Sequence, residues 1–82
     1  MTEEERLREA RAAVPPGRYK HFKGNTYQVI GVAFDTATGI PLVIYHRPET
    51  PAELFARAKE DFVENVQRGD YAGPRFTREE QP

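Results

Sequence analysis

Apolar and polar residues alternate most regularly in the middle of the chain, over residues 17–45. A short run of aromatic and long polar side chains occupies residues 19–22, and a longer run occupies residues 26–34. The pair Gly24-Asn25 separates them. A two-residue loop of this kind indicates a β-hairpin, because both residue types tolerate positive φ. The pattern therefore predicts two antiparallel strands joined by a tight turn.

The longer run is expected to present two apolar faces, because side chains alternate on a strand. One face holds Tyr27, Val29, Gly31 and Ala33, and the other holds Gln28, Ile30, Val32 and Phe34. Both sets are apolar from residue 29 onward, which is typical of a strand covered on both sides or bent across a small barrel. Gly31 has no side chain to pack, so it indicates a bulge or a sharp bend.

A second turn and a third strand follow, and a helix precedes the β region. Turn-forming residues fill positions 35–39, and Pro41 begins a β-branched and aromatic run, as is allowed at the first residue of a strand. Residues 2–14 have a capping-box spacing and a thin apolar stripe, which predict a short helix that Pro15-Pro16 ends. Such a helix is marginal alone, so it docks on the β region, frays, or serves as a dimerisation or partner helix.

Three blocks of the sequence resemble a small, uncharacterised bacterial family, the domain-of-unknown-function family numbered sixteen fifty-three. The first block is GRYKHFKGNTYQVIGVA at residues 17–33, and the second is TGIPLVIY at residues 38–45. The third is LFARAKEDF at residues 54–62, followed later by PRF at residues 74–76. The resemblance implies a mainly β fold, a small SH3-like barrel of about five short antiparallel strands with the N-terminal helix beside it. It supplies no function.

The segment over residues 50–68 supports two different structures. Its local pattern predicts a helix, with Thr50 as cap, Pro51 at the first turn and apolar residues at helical spacing along one face. The resemblance instead implies a strand near residues 53–57, one helical turn, and another strand over residues 62–67. We favour the second structure, because tertiary context often overrides local helix propensity.

The predicted organisation has three parts. Residues 1–16 form the helix and a proline linker, residues 17–77 form one β domain, and residues 78–82 form a flexible tail. With 82 residues, a single core is only marginally stabilising, so a few buried aromatic side chains must matter.

Neither catalysis nor metal binding is indicated. The chain contains no cysteine and no serine, and its two histidines, His21 and His46, have no ligand spacing around them. It also lacks a nucleophile–base pair and a phosphate-binding glycine loop, so no enzymatic activity and no cofactor are predicted. The absence of cysteine, of a membrane-spanning apolar stretch and of a signal-peptide pattern makes the cytoplasm the expected location.

The candidate binding residues combine rings with positive charge. They are Tyr19, His21, Lys23, Tyr27, Tyr45, Phe55 and Arg57. An arginine beside a ring can hold a carboxylate or phosphate in bidentate fashion, and a tyrosine suits a groove because its ring is apolar and its tip polar. In the alternative interpretation, Tyr27 and Phe55 belong to the core, and Arg57 pairs with Glu60 or Asp61.

Charge leaves two functional hypotheses open. The formal net charge is −1, so overall charge gives no case for nucleic acid. Bases nevertheless prevail over residues 16–47 and acids prevail afterwards, which fits anion binding, self-association or ordinary solvation. The first hypothesis is a binding module for an anionic small molecule, a nucleotide or single-stranded nucleic acid. The alternative is a protein-interaction module that takes an extended peptide or a partner subunit, including a second copy of the chain.

Overall fold

The computed structural model describes residues 2–79, and within them the fold is mainly β with a short N-terminal helix, as predicted. The elements are α1 (Glu3–Ala13), β1 (Gly17–His21), β2 (Thr26–Phe34), β3 (Pro41–His46), β4 (Phe55–Ala58), α2 (Lys59–Phe62), β5 (Asn65–Arg68), β6 (Tyr71–Pro74) and β7 (Phe76–Arg78). There are more strands than the predicted five because residues 65–78 form three short strands.

The strands form two antiparallel sheets. The larger has the order β4-β3-β2-β1-β7, and the smaller is the hairpin of β5 and β6. Within the described residues, the two edges of the larger sheet do not pair with each other, so this is not the closed barrel that the resemblance implied. The chain leaves β4 through α2 and the small hairpin, and it returns to the opposite edge, beside β1.

The β1–β2 turn is longer than the predicted two-residue loop. Phe22, Lys23, Gly24 and Asn25 lie between the two strands. Gly24 is the residue of this loop with positive φ, at 107°, and Asn25 is not in that region. The hairpin itself is confirmed, and its closing hydrogen bond runs from the His21 N–H to the Asn25 carbonyl at 2.7 Å.

The predicted bulge in β2 is confirmed, but it changes which residues face the core. Val29 pairs with Tyr45 and Gly31 pairs with Ile44 in β3, so Ile30 is the inserted residue. The insertion reverses the alternation. Val29 and Val32 therefore both pack in the core, while Ile30 is 50% exposed. The predicted grouping of Val29 with Ala33, and of Ile30 with Val32, is wrong beyond the bulge.

The segment over residues 50–68 forms strand, turn and strand, and the continuous helix is wrong. β4 pairs with β3 over four residues, and α2 is a single turn that places Phe62 in the core. The Phe62 ring stacks on the Phe76 ring with centroids 4.1 Å apart and planes 4° from parallel. Pairing of β4 with β3 and burial of Phe62 together outweigh the local helical pattern. A continuous helix could not form the strand pairing with β3.

The N-terminal helix docks on the large sheet. The Thr2 hydroxyl caps it by accepting the Glu5 N–H at 3.1 Å, as the capping-box spacing predicted. Ala10 is buried, and Val14 belongs to the core cluster. Neither helix of the described residues is long and apolar enough to cross a membrane.

The C-terminal boundary lies later than the predicted tail. Arg78 is the last residue of β7, and the Glu79 N–H donates to the Arg18 carbonyl at 2.8 Å. Residues 80–82 of the predicted tail lie outside the described residues.

Candidate functional site

Aromatic side chains of the core continue to the surface at the β4 side of the large sheet. Phe55 lies directly across from Tyr45, and Arg57 directly across from Val43, so both point to the same side as these buried residues. We call the surface formed by His21, Tyr27, Phe55 and Arg57, above the buried Tyr45 and Phe76, the aromatic face.

The rings of this face are held by edge-to-face contacts. The Tyr27 ring is perpendicular to the Tyr45 ring at 5.3 Å and to the Phe55 ring at 6.5 Å. It also meets Phe76 at 5.9 Å. Such aromatic pairs contribute about 0.5–1.5 kcal/mol beyond the area they bury. Tyr27 is therefore fixed in place and partly buried, whereas Phe55 is 37% exposed.

Arg57 is a half-buried cation seated on this aromatic floor. Its Nε donates a long hydrogen bond of 3.5 Å to the Tyr45 hydroxyl, and its Cζ lies 5.9 Å from the centre of the Phe76 ring. The alternative pairing with Glu60 or Asp61 is not formed, because Glu60 lies 3.6 Å from Lys59 and no carboxylate of residues 2–79 lies within 4.0 Å of the Arg57 guanidinium. Arg57 is thus positioned by rings and not by an acid.

His21 is held as a neutral ring at the edge of the face. It packs against Phe22 at 4.5 Å and edge-on against Phe76 at 4.9 Å. Burial lowers its pKa, and the positive charges of Lys23, Arg57 and Arg75 lower it further. Its Nδ1 accepts the Lys23 N–H at 3.1 Å, which leaves the proton on Nε2 as a donor.

Acidification is expected to destabilise the fold through His21. Its pKa in the folded chain lies below the ordinary 6.5, so the unfolded chain binds more protons as the pH falls through this range. The stability that neutral His21 contributes above pH 6.5 is therefore lost as the pH falls through its lowered pKa in the folded chain. Urea titrations at pH 7 and pH 5 should show a smaller loss for His21→Gln than for the unmodified chain. An equal loss in His21→Gln would contradict the prediction.

Further cations surround the aromatic face. The Arg47 guanidinium lies 5.6 Å from the Phe55 ring centre, within the range of a cation–π contact. Arg47 also lines a cleft of about 440 Å³ beside the face, together with Glu49 and the β1–β2 turn. Arg75 is partly neutralised, since it lies 3.9 Å from Glu64 and donates to the Asp61 carbonyl. The positive charge available to a ligand therefore comes chiefly from Arg47, Arg57 and Lys23.

The seven predicted binding residues do not all reach this surface. His21, Tyr27, Phe55 and Arg57 form it, and Lys23 is exposed beside it, while Tyr45 is buried beneath it. Tyr19 lies elsewhere in the core, where burial raises its pKa, and its hydroxyl donates to the Pro15 carbonyl at 2.7 Å.

Sequence reasoning missed Phe76, which contacts His21, Tyr27 and Tyr45 and forms the floor of the face. It also missed Arg47, although the excess of bases over residues 16–47 includes it. Within residues 2–79 no group of three or more histidine or acidic side chains is arranged to hold a metal ion.

Comparison with known proteins places the face within a recognised sequence block. The family model described as "Protein of unknown function (DUF1653)" matches residues 17–78. A crystal structure of a protein of that family from Bordetella bronchiseptica is similar, with a TM-score of 0.68 and 28% sequence identity, covering 87% of this chain and 96% of that one. No curated protein matches. The matched residues run from β1 to β7 and contain the whole aromatic face, but they exclude α1.

Proposed function

We propose that this chain, which belongs to the DUF1653 family of proteins of unknown function, is a non-enzymatic binding module. Its aromatic face holds an anionic ligand that carries a planar group, such as a nucleotide or a stretch of single-stranded nucleic acid. The ligand's ring stacks on Phe55 beside Tyr27, and its negative charge meets Arg57.

The environment of Arg57 is the observation that supports this proposal most. A guanidinium that is half-buried on rings, with no carboxylate of the described residues beside it, has lost part of its hydration without gaining an opposite charge. An anion with two oxygens supplies that charge and matches the planar fork of donors. The Nε2–H of neutral His21 adds a further donor on the same surface.

Stacking supports the planar part of the ligand. Phe55 is exposed on the edge strand β4, and Tyr27 is fixed beside it at right angles. Base–aromatic stacking contributes about 1–3 kcal/mol for each base. An exposed ring held rigidly loses little conformational freedom when a ligand binds, which favours recognition by this surface.

Binding of labelled nucleotides and short oligonucleotides tests the proposal. The unmodified chain should bind them with an affinity that falls as salt rises, because phosphate contacts release counterions. Phe55→Ser should weaken binding about tenfold through loss of one stacking contact. The matched control is Ile30→Ser, which removes an exposed apolar side chain on β2 and should leave the affinity unchanged. Absence of any salt-dependent binding across the panel would refute the proposed function.

The exposed edge of β4 favours a second candidate, a protein-interaction module. β4 is an edge strand; its first residue, Phe55, is 37% exposed, and Leu54 just before it is 55% exposed. An extended peptide or a partner subunit could add a strand there through main-chain hydrogen bonds. Hydrogen exchange separates the two candidates, since a peptide strand would protect the amides of residues 55–58 strongly, whereas a stacked nucleotide would leave that pattern little changed.

A further inference from the structure

We infer that the ligand of the aromatic face is a single strand of nucleic acid several nucleotides long, and not a mononucleotide. This inference rests on the proposed function and makes it more specific. It comes from a line of rings that extends well beyond the aromatic face and joins the two sheets.

We call this line the aromatic row. In order, its rings are Tyr71, Phe22, His21, Phe76, Tyr27 and Phe55. The successive centroid distances are 5.4, 4.5, 4.9, 5.9 and 6.5 Å. Phe76 is buried and Phe22 is flanked by the rings of Tyr71 and His21, so these two support their neighbours, whereas the other four rings are half-buried or exposed. The row begins on β6 of the small sheet and ends on the outer edge of the large sheet.

Positive charge recurs along the row. The Lys23 Nζ lies 6.0 Å from the Phe22 ring centre near one end, and Arg57 lies 5.9 Å from Phe76 in the middle. Arg47 lies 5.6 Å from Phe55 at the other end. A ligand with one charged group meets one of these cations, whereas a polymer with a charge on every unit meets all three.

This spacing of rings and cations matches single-stranded nucleic acid better than an acidic peptide. Proteins that bind single strands without sequence preference combine a positively charged path for the backbone with rings on which successive bases stack. An acidic peptide of the glutamate type would satisfy the cations but would have no planar group for Tyr71, Tyr27 or Phe55. Two carboxylates of the described residues lie near the row, and each is beside an arginine: Glu49 lines the cleft with Arg47, and Glu64 lies 3.9 Å from Arg75.

The row predicts recognition without sequence preference. Its contacts are ring faces and positive charges, and every base has a face that can stack. Ribose and deoxyribose strands are therefore expected to bind with similar affinity, and homopolymers are suitable probes.

A length series of labelled thymidylates, from one to eight nucleotides, tests the inference by fluorescence anisotropy. The affinity should rise more than tenfold between the mononucleotide and the octamer. Lys23→Gln should weaken octamer binding and lower the salt slope by about 0.7, the value for one phosphate contact on a single strand, and it should weaken octamer binding more than mononucleotide binding. The matched control is Lys20→Gln, an exposed lysine one position before His21 on β1, and it should leave the octamer affinity and the salt slope unaltered.

Three other outcomes of these binding measurements would each contradict a different part of the argument. Equal affinity for the mononucleotide and the octamer would overturn the inference and leave the proposed function standing. Equal binding of a glutamate octapeptide and the thymidylate octamer would overturn the assignment to nucleic acid. Failure of every anion to bind would remove the proposed function itself.

Discussion

Replacing Phe62 by alanine is expected to remove a large part of the chain's folding stability at 25 °C. Phe62 is 2% exposed, stacks on Phe76 at 4.1 Å, and meets Tyr19 and Tyr45 edge-on at 5.4 and 5.7 Å. Truncating such a ring costs about 3–5 kcal/mol. A domain of 82 residues has a total stability on the order of 4–12 kcal/mol, so the substitution removes from about a quarter of it to all of it.

Urea titration followed by far-ultraviolet circular dichroism measures this effect. The adjacent Val63→Ala is the control, because Val63 is 41% exposed and its truncation should cost no more than about 1 kcal/mol. If Phe62→Ala lost no more stability than the control, the central packing of α2 against β7 would be wrong.

Replacing Arg57 by glutamine is expected to reduce the affinity for an anionic ligand by about tenfold to a hundredfold. A hydrogen bond to a charged group contributes about 1.5–3 kcal/mol, and each 1.4 kcal/mol corresponds to a factor of ten. Stability should change little, since the substitution removes a half-buried charge whose contacts are a long hydrogen bond to Tyr45 and the Phe76 ring at 5.9 Å. Loss of binding without loss of stability is the signature of a recognition residue.

Two further variants sharpen this prediction. Arg57→Lys keeps the charge but loses the planar fork of donors, so it should recover only part of the affinity. Arg8→Gln removes an exposed arginine from α1 and should leave both properties unaltered. An Arg57→Gln variant that binds normally, or that binds weakly only because it unfolds, would contradict the role assigned to Arg57.

Local patterns in the sequence predicted the strands but not every register. Alternation and turn residues located β1, β2 and β3, because these strands pair with their neighbours along the chain. The faces of β2 beyond Val29 could not be assigned, since the inserted residue is chosen by pairing with β3. Gly31 marks the neighbourhood of the bulge, yet a Cβ there would meet nothing within 4 Å.

The segment around Phe62 shows the limit of a purely local prediction. Its spacing fits a helix equally well, and only contacts with Tyr45 and with Phe76, fourteen positions later, favour the observed turn. The resemblance to a family resolved what periodicity left open.

The sequence predicted which residue types form the candidate site better than it predicted the exposure of each residue. Tyr19, Tyr27 and Tyr45 look alike in sequence, each on a strand with apolar neighbours. Their exposure differs because the proline linker and core rings cover Tyr19, while Phe55 and Arg57 cover Tyr45. Phe76 was not selected because a three-residue strand gives too short a pattern to reveal which way its side chains point.

The inward direction of Arg57 has a consequence for self-assembly into fibrils. β4 is an open edge bordered by Leu54 and Phe55, the kind of border on which further chains can polymerise. A second chain that paired with β4 would bury the Arg57 guanidinium without a counter-charge. Inward-pointing charges on edge strands oppose such edge-to-edge aggregation. We therefore expect replacement of Arg57 by an aliphatic side chain to favour aggregation through β4.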